Sequence, residues 1–75
     1  MMKILYDEER DILYIDLAPG KKARETKPLN DDVFVDVGED GGIVGIEIWR
    51  ASVTVIEPLA KHIAEKARKA LELVK

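Results

Sequence analysis

The segment from Val33 to Trp49 constrains this chain more than any other. Val33-Phe34-Val35-Asp36-Val37 alternates with period two, and so does Ile43-Val44-Gly45-Ile46-Glu47-Ile48-Trp49. That period is the mark of an extended strand with one buried face. Between the two runs stands Glu39-Asp40-Gly41-Gly42, and an Asp-Gly pair suits a tight type I′ hairpin turn. The segment therefore predicts a β-hairpin. Val33, Val35, Val37, Val44, Ile46 and Ile48 share its core face, and Phe34, Asp36, Gly45, Glu47 and Trp49 take the other.

A second hairpin is predicted at the start, where Lys3-Ile4-Leu5-Tyr6 and Asp11-Ile12-Leu13-Tyr14-Ile15-Asp16-Leu17 flank the charged turn Asp7-Glu8-Glu9-Arg10. Leu13, Ile15 and Leu17 form its core face; Ile12, Tyr14 and Asp16 form the other. Ala18-Pro19-Gly20 is a turn. Lys21–Pro28 is charged, short of apolar residues and closed by proline, so as a strand it belongs at a sheet edge. Asn30-Asp31-Asp32 makes another turn, and Ala51–Ile56 reads as extended or irregular. Glu57-Pro58 opens a helix, proline being favoured in the first turn. Leu59, Ile63, Ala67, Ala70, Leu71 and Val74 recur at helical spacing, widened by Ala60 and Ala64. Glu57/Lys61 and Glu65/Lys69 are helix pairs in the favourable order. The fold expected is α+β, an antiparallel β-meander of four to five strands followed by one C-terminal amphipathic helix. It forms a single domain over residues 1–75, with the sheet over about 2–50 and the helix over about 58–74. The helix has two possible seats: its own sheet, or a second helix across a dimer, where the alanines would allow close approach.

Seventy-five residues form a marginal core, because a domain this short buries only about 60% of the surface its unfolded chain exposes. Small domains usually compensate with disulfides, a structural metal or oligomerisation. The chain has no cysteine and one histidine, His62, which removes disulfides and thiolate zinc and leaves oligomerisation or an unusually good core. Hydrophobic residues at 47% suffice for a real core. No run approaches the roughly 18 to 20 apolar residues of a membrane span. Residues 1–7 lack the apolar region of a signal peptide, so the expected location is cytoplasmic. Glutamine and cysteine are absent, Asn30 is the single asparagine, and charged residues reach 36%, the trend of thermophile proteins. The net charge of −3 is uneven: residues 1–50 hold twelve acids and seven bases, residues 51–75 three acids and five bases. An acidic whole argues against a nucleic-acid binder, although Lys61, Lys66, Arg68, Lys69 and Lys75 give the helix a basic face and Lys21, Lys22 and Arg24 a small patch.

Tyr6-Asp7-Glu8-Glu9, then Asp11 with Leu13-Tyr14-Ile15 and Leu17, resembles the opening of the prokaryotic family called domain of unknown function 2283. The later run Val35-Asp36-Val37, Glu39-Asp40-Gly41, Val44-Gly45-Ile46-Glu47-Ile48, with Ala51-Ser52 after it, is similar to that family's second signature. The resemblance covers about residues 4–52 and leaves the helix outside. Trp49 stands where the family more often has leucine, and Arg10 where a small residue is usual. The resemblance implies a small meander domain of unknown role, with some relatives suspected to be antitoxins paired with a small toxin. Family alone does not fix function.

The second sheet face carries the candidate sites. If the strand phases match, Asp16, Asp36 and Glu47 share one surface with Tyr14, Phe34 and Trp49. Three carboxylates there are candidates for a divalent cation or for hydrolytic acid–base chemistry. An acidic, half-solvated sheet face explains the same residues. So does an oligomer interface anchored by Trp49, Phe34 and Tyr14 and, on the helix, by Leu59, Ile63 and Leu71. Trp49 packing against the start of the helix is a further reading. His62 has no partner in sight, Ser52 and Thr54 have no nearby base, and Gly41-Gly42 is a hairpin rather than a phosphate loop. No catalytic residue and no cofactor is assigned. The expectation is a non-enzymatic, homo-oligomeric interaction module, homodimeric and antitoxin-like, with a small basic toxin as a candidate partner. The alternative is a metal-binding or hydrolytic domain using the carboxylates.

Overall fold

The computed structural model describes residues 1–74. Five strands, β1 (Lys3–Asp7), β2 (Ile12–Asp16), β3 (Ala23–Pro28), β4 (Val33–Gly38) and β5 (Ile43–Trp49), precede a π-helical turn (Ser52–Ile56) and the helix α1 (Glu57–Leu73). All pairings are antiparallel and the fold is α+β. The sheet order is β1-β2-β5-β4-β3, so the meander has two parts. The β1–β2 hairpin docks beside β5, and β3–β4–β5 runs back from the far edge. Polarity explains the order. β5 carries the most apolar alternation and takes the centre, while the charged, proline-ended β3 takes an edge, where a bulge between Ala23 and Glu25 also breaks its flatness. The link from β2 to β3 is anchored on β5, because the Leu17 and Ala18 N–H groups both donate to the Val44 carbonyl (2.9 and 3.2 Å).

The β4–β5 turn differs from the type I′ expectation. Type I′ needs positive φ at both central residues, but among the residues at positive φ only Gly41 (φ 83°) lies in this turn. Gly38 and Gly42 close a three-residue loop, with the Gly41 N–H on the Gly38 carbonyl (3.1 Å) and the Gly38 N–H on the Gly42 carbonyl (2.8 Å). A register shift then follows between Asp36 and Val37. The longer loop and the bulge offset one another, so Asp36 lies opposite Gly45 and Phe34 opposite Glu47, the register that a two-residue Asp40-Gly41 turn would give.

Ala51–Ile56 is also not extended. Val53-Thr54-Val55-Ile56 is β-branched and has strand propensity, but local bonds override it. The Thr54 hydroxyl donates to the Trp49 and Arg50 carbonyls (3.0 and 2.7 Å), and the Val53 and Thr54 N–H groups return to the Arg50 carbonyl. The widened π turn then runs straight into α1.

The core is small. Val35, Val44, Ile48 and Ala51 are its buried apolar residues, and a fully buried valine or isoleucine contributes about 1.5–3 kcal/mol. No residue of α1 is buried: the helix leaves the sheet and does not fold back on it. The radius of gyration is 16.0 Å, where a compact chain of this length has about 11 Å. The accessible surface is 6073 Å², where a monomer of 8.4 kDa has roughly 4,600 Å².

Candidate functional site

The pairing brings the two halves of the sheet into one phase, and the acidic and aromatic residues meet on one face. One cross-strand row reads Leu5, Tyr14, Glu47, Phe34, Pro28; the next reads Lys3, Asp16, Gly45, Asp36, Thr26. Trp49 stands opposite Ile12 in the row beyond. The carboxylates do not converge. Asp36 accepts the Tyr14 hydroxyl (2.8 Å) and the Thr26 hydroxyl (2.6 Å). Glu47 accepts the Trp49 indole N–H (2.9 Å). Among the described residues no three acidic, histidine or cysteine side chains stand close enough to hold a metal ion. Trp49 packs its ring on Phe34, with centroids 5.5 Å apart and planes tilted by 48°, and remains 45% exposed.

Tyr14 is the most perturbed group on this face. Burial, the hydrogen bond to Asp36 and then the charges of Asp36, Asp16 and Glu47 push its phenol up to about 12. The protonated phenol donates its hydrogen bond to Asp36. Its place depends on Gly45: a Cβ at Gly45 would fall within 2.0 Å of the Tyr14 oxygen. The tyrosine lies across the central strand because that strand has no side chain there.

A second cluster forms the corner between sheet and helix. Asp11 sits at φ 55° just before β2. Its carboxylate accepts the Tyr6 hydroxyl (2.6 Å), the Ser52 N–H (2.9 Å) and the Ser52 hydroxyl. Its carbonyl accepts the Ala51 N–H (3.0 Å). These donors, Ser52 first and then Tyr6, hold the Asp11 carboxyl below the usual carboxylate range. Asp11 is thus an N-cap supplied from a distant hairpin. Beside it Arg50, at φ 50°, makes a two-point contact with Asp32 (3.1 and 2.8 Å), which lowers the Asp32 carboxyl. Ser52 and Thr54, the two candidate hydroxyls, are thereby both engaged in starting the helix. No local motif links Asp11 to Ser52 or Asp32 to Arg50; the only sequence signal is that Asp11 and Ala51-Ser52 both fall within the family resemblance.

The remaining candidates are solvated. His62 lies on exposed α1. Lys61 pairs with Glu57 (3.4 Å), and Lys75 lies outside the described residues. Lys21, Lys22 and Asp40 line an open depression with Gly38 and Glu39, where Lys21 and Asp40 stand 4.0 Å apart. Leu59, Ile63 and Leu71 are 52%, 56% and 71% exposed. No helix among the described residues is long and apolar enough to cross a membrane.

Comparison with known proteins returns relatives without an assigned activity. The model of a family described as protein of unknown function (DUF2283) matches residues 3–52, from β1 to the Ser52 cap. An uncharacterised protein of Methanocaldococcus jannaschii, MJ0789, is 45% identical over 51 residues, 68% of this chain and 42% of that protein. The uncharacterised protein YuzE of Bacillus subtilis is 30% identical over 64 residues, 80% of this chain and 50% of that protein. The chain spans about half the length of these curated relatives. No solved structure matches. With the sheet and the helix cap both inside the matched span, the chain belongs to the DUF2283 family of proteins of unknown function.

Proposed function

We propose that this protein is a non-enzymatic, homo-oligomeric protein-interaction module. The observation that carries the reading is the unburied helix. Leu59, Ile63 and Leu71 form an apolar stripe in solvent, on a helix that touches little beyond its own first turn. The total accessible surface exceeds that of a compact monomer by roughly 1,500 Å², and an exposed apolar stripe rimmed by charged residues marks an interaction site. Light scattering from the purified chain tests the reading. Twice the chain mass or more is the expected result; a monomer at tens of micromolar overturns it.

A heterologous partner is the second reading, favoured by the acidic sheet face. Asp16, Asp36 and Glu47 surround Tyr14, Phe34 and the half-exposed Trp49, which suits a basic protein such as a small toxin in an antitoxin-like pair. A stoichiometric basic protein co-purifying at low salt, and lost with Glu47→Lys, is the expected result. Capture unchanged by Glu47→Lys removes this face as the contact.

A further inference from the structure

We propose that α1 of each copy seats on the apolar sheet face of a second copy, in a reciprocal exchange. The inference rests on the homo-oligomeric reading and names its interface. Two apolar surfaces in the same chain lack a covering layer. One is the sheet face built from the rows Ile4, Ile15, Ile46, Val35 and Tyr6, Leu13, Ile48, Val33; on it Ile4 and Tyr6 are exposed, Leu13, Ile15, Val33 and Ile46 are half-buried, and Val35 and Ile48 are buried. The other is the helix stripe. A stable domain has at least two packed layers, and here the second layer is present in the chain but turned away from its own sheet.

The turning away is built in. Asp11 holds the first helical N–H and hydroxyl of Ser52. Thr54 ties back to Trp49 and Arg50, and Arg50 is held in the left-handed region against Asp32. A corner fixed from both sides leaves the helix no slack to reach its own sheet.

Size and charge both select a second copy as the occupant. A helix of 17 residues is about 25 Å long, and five strands are about 19 Å wide, so one helix spans one sheet. Two copies pooling their excess surface would bury about 3,000 Å², inside the range of obligate homodimers and well above a crystal-type contact. Residues 1–50 carry twelve acids against seven bases, and residues 51–75 carry five bases against three acids. Helix on helix would bring two basic segments together and leave both sheet faces open, whereas the apolar sheet face is free of Asp16, Asp36 and Glu47, which lie on the opposite face.

The test uses the unaltered chain. Isotope-labelled and unlabelled copies are refolded together, and nuclear Overhauser contacts between copies are selected by isotope filtering. The expected result is contact between copies from Leu59 and Ile63 methyls to Ile15 and Ile46 methyls. Contacts between copies only from helix to helix, from β1 edge to β1 edge, or through Trp49 overturn the exchange while leaving a homo-oligomer. A monomer in light scattering removes both readings. As a second readout the chain has no cysteine, so Ile15→Cys and Ile63→Cys variants mixed together should form a mixed disulfide. Self-linking of Ile63→Cys alone would overturn the exchange.

Discussion

Asp11 and Ser52 lie 41 residues apart and meet through two hydrogen bonds, which makes the first hairpin the cap of the last helix. Removing the carboxylate leaves the Ser52 N–H unpaired and frees the Tyr6 hydroxyl as well. Loss of an N-cap is among the larger single effects on a small domain. Asp11→Ala is expected to lower the thermal midpoint by on the order of 5 °C, more than Asp11→Asn, because asparagine tolerates φ near 55° and keeps one acceptor. The pH dependence has a definite sign. The Asp11 carboxyl is lowered in the fold, so its contribution is present above the unfolded value and is lost as pH falls through the folded one. Melts between pH 5 and 2 should show a shallower acid loss for Asp11→Asn than for the parent; equal slopes would remove Asp11 from the account.

Tyr14 titration gives an independent check on the other sheet face. Its phenol is raised to about 12 by burial and by Asp36. A raised group stabilises the fold fully below the unfolded value near 10 and loses that contribution as pH climbs through the folded value. Tyrosinate absorbance should therefore show a late component that disappears in Tyr14→Phe, beside that of Tyr6, whose phenol is also raised by its hydrogen bond to Asp11. Gly45→Ala pushes a methyl into the Tyr14 ring, breaks its bond to Asp36, and should destabilise by about 1–2 kcal/mol while moving the late transition towards pH 10. An unmoved transition would mean that Tyr14 does not lie over Gly45.

Much of this was legible from local pattern. Period-two alternation locates β2, β4 and β5, the β-rich run before the charged turn locates β1, and the charge of Lys21–Pro28, conditional as a strand, places β3 at an edge. Helical spacing locates α1 to within a residue at its start. The acidic and aromatic face was conditional on strand phase, and it assembles because a loop and a bulge compensate at Gly38–Val44, which no alternation rule reveals. Two features were not legible. The Ala51–Ile56 run has strand propensity, and only hydrogen bonds from Thr54 and Asp11 turn it helical. Those partners are distant or depend on the left-handed Arg50. The roles of Asp11, Asp32 and Gly45 are likewise tertiary: each depends on a residue brought close by the sheet order, which crosses from β2 to the far edge.

Arg50 offers a test of that corner. Its φ of 50° is strained for any residue with a Cβ, and the strain is held by the paired contact with Asp32. Arg50→Ala loses the contact and keeps the strain; Arg50→Gly loses the contact and relieves it. The glycine variant should melt higher than the alanine variant, and Asp32→Ala should resemble Arg50→Ala. An alanine variant at or above glycine would show that the corner does not need a left-handed residue.

Ile63 lies midway along α1 and 56% exposed within one chain, so its substitution separates a folding role from an interface role. Within a monomer it lies outside the buried core, and the thermal midpoint at low concentration should hardly move. In a symmetric dimer each interface contains the residue twice. Burying an isoleucine contributes about 1.5–3 kcal/mol, and two copies make roughly 3–6 kcal/mol, or about 150- to 25,000-fold in the dimer dissociation constant. Ile63→Ala should fall near the lower end of that range, since a methyl remains, and Ile63→Lys should be monomeric at micromolar concentration. Arg68→Ala, on the charged side of the same helix, is the control and should leave the mass unchanged. Sedimentation equilibrium across a concentration series reads all three, and a dissociation constant unmoved by Ile63→Lys would place the interface elsewhere on the molecule.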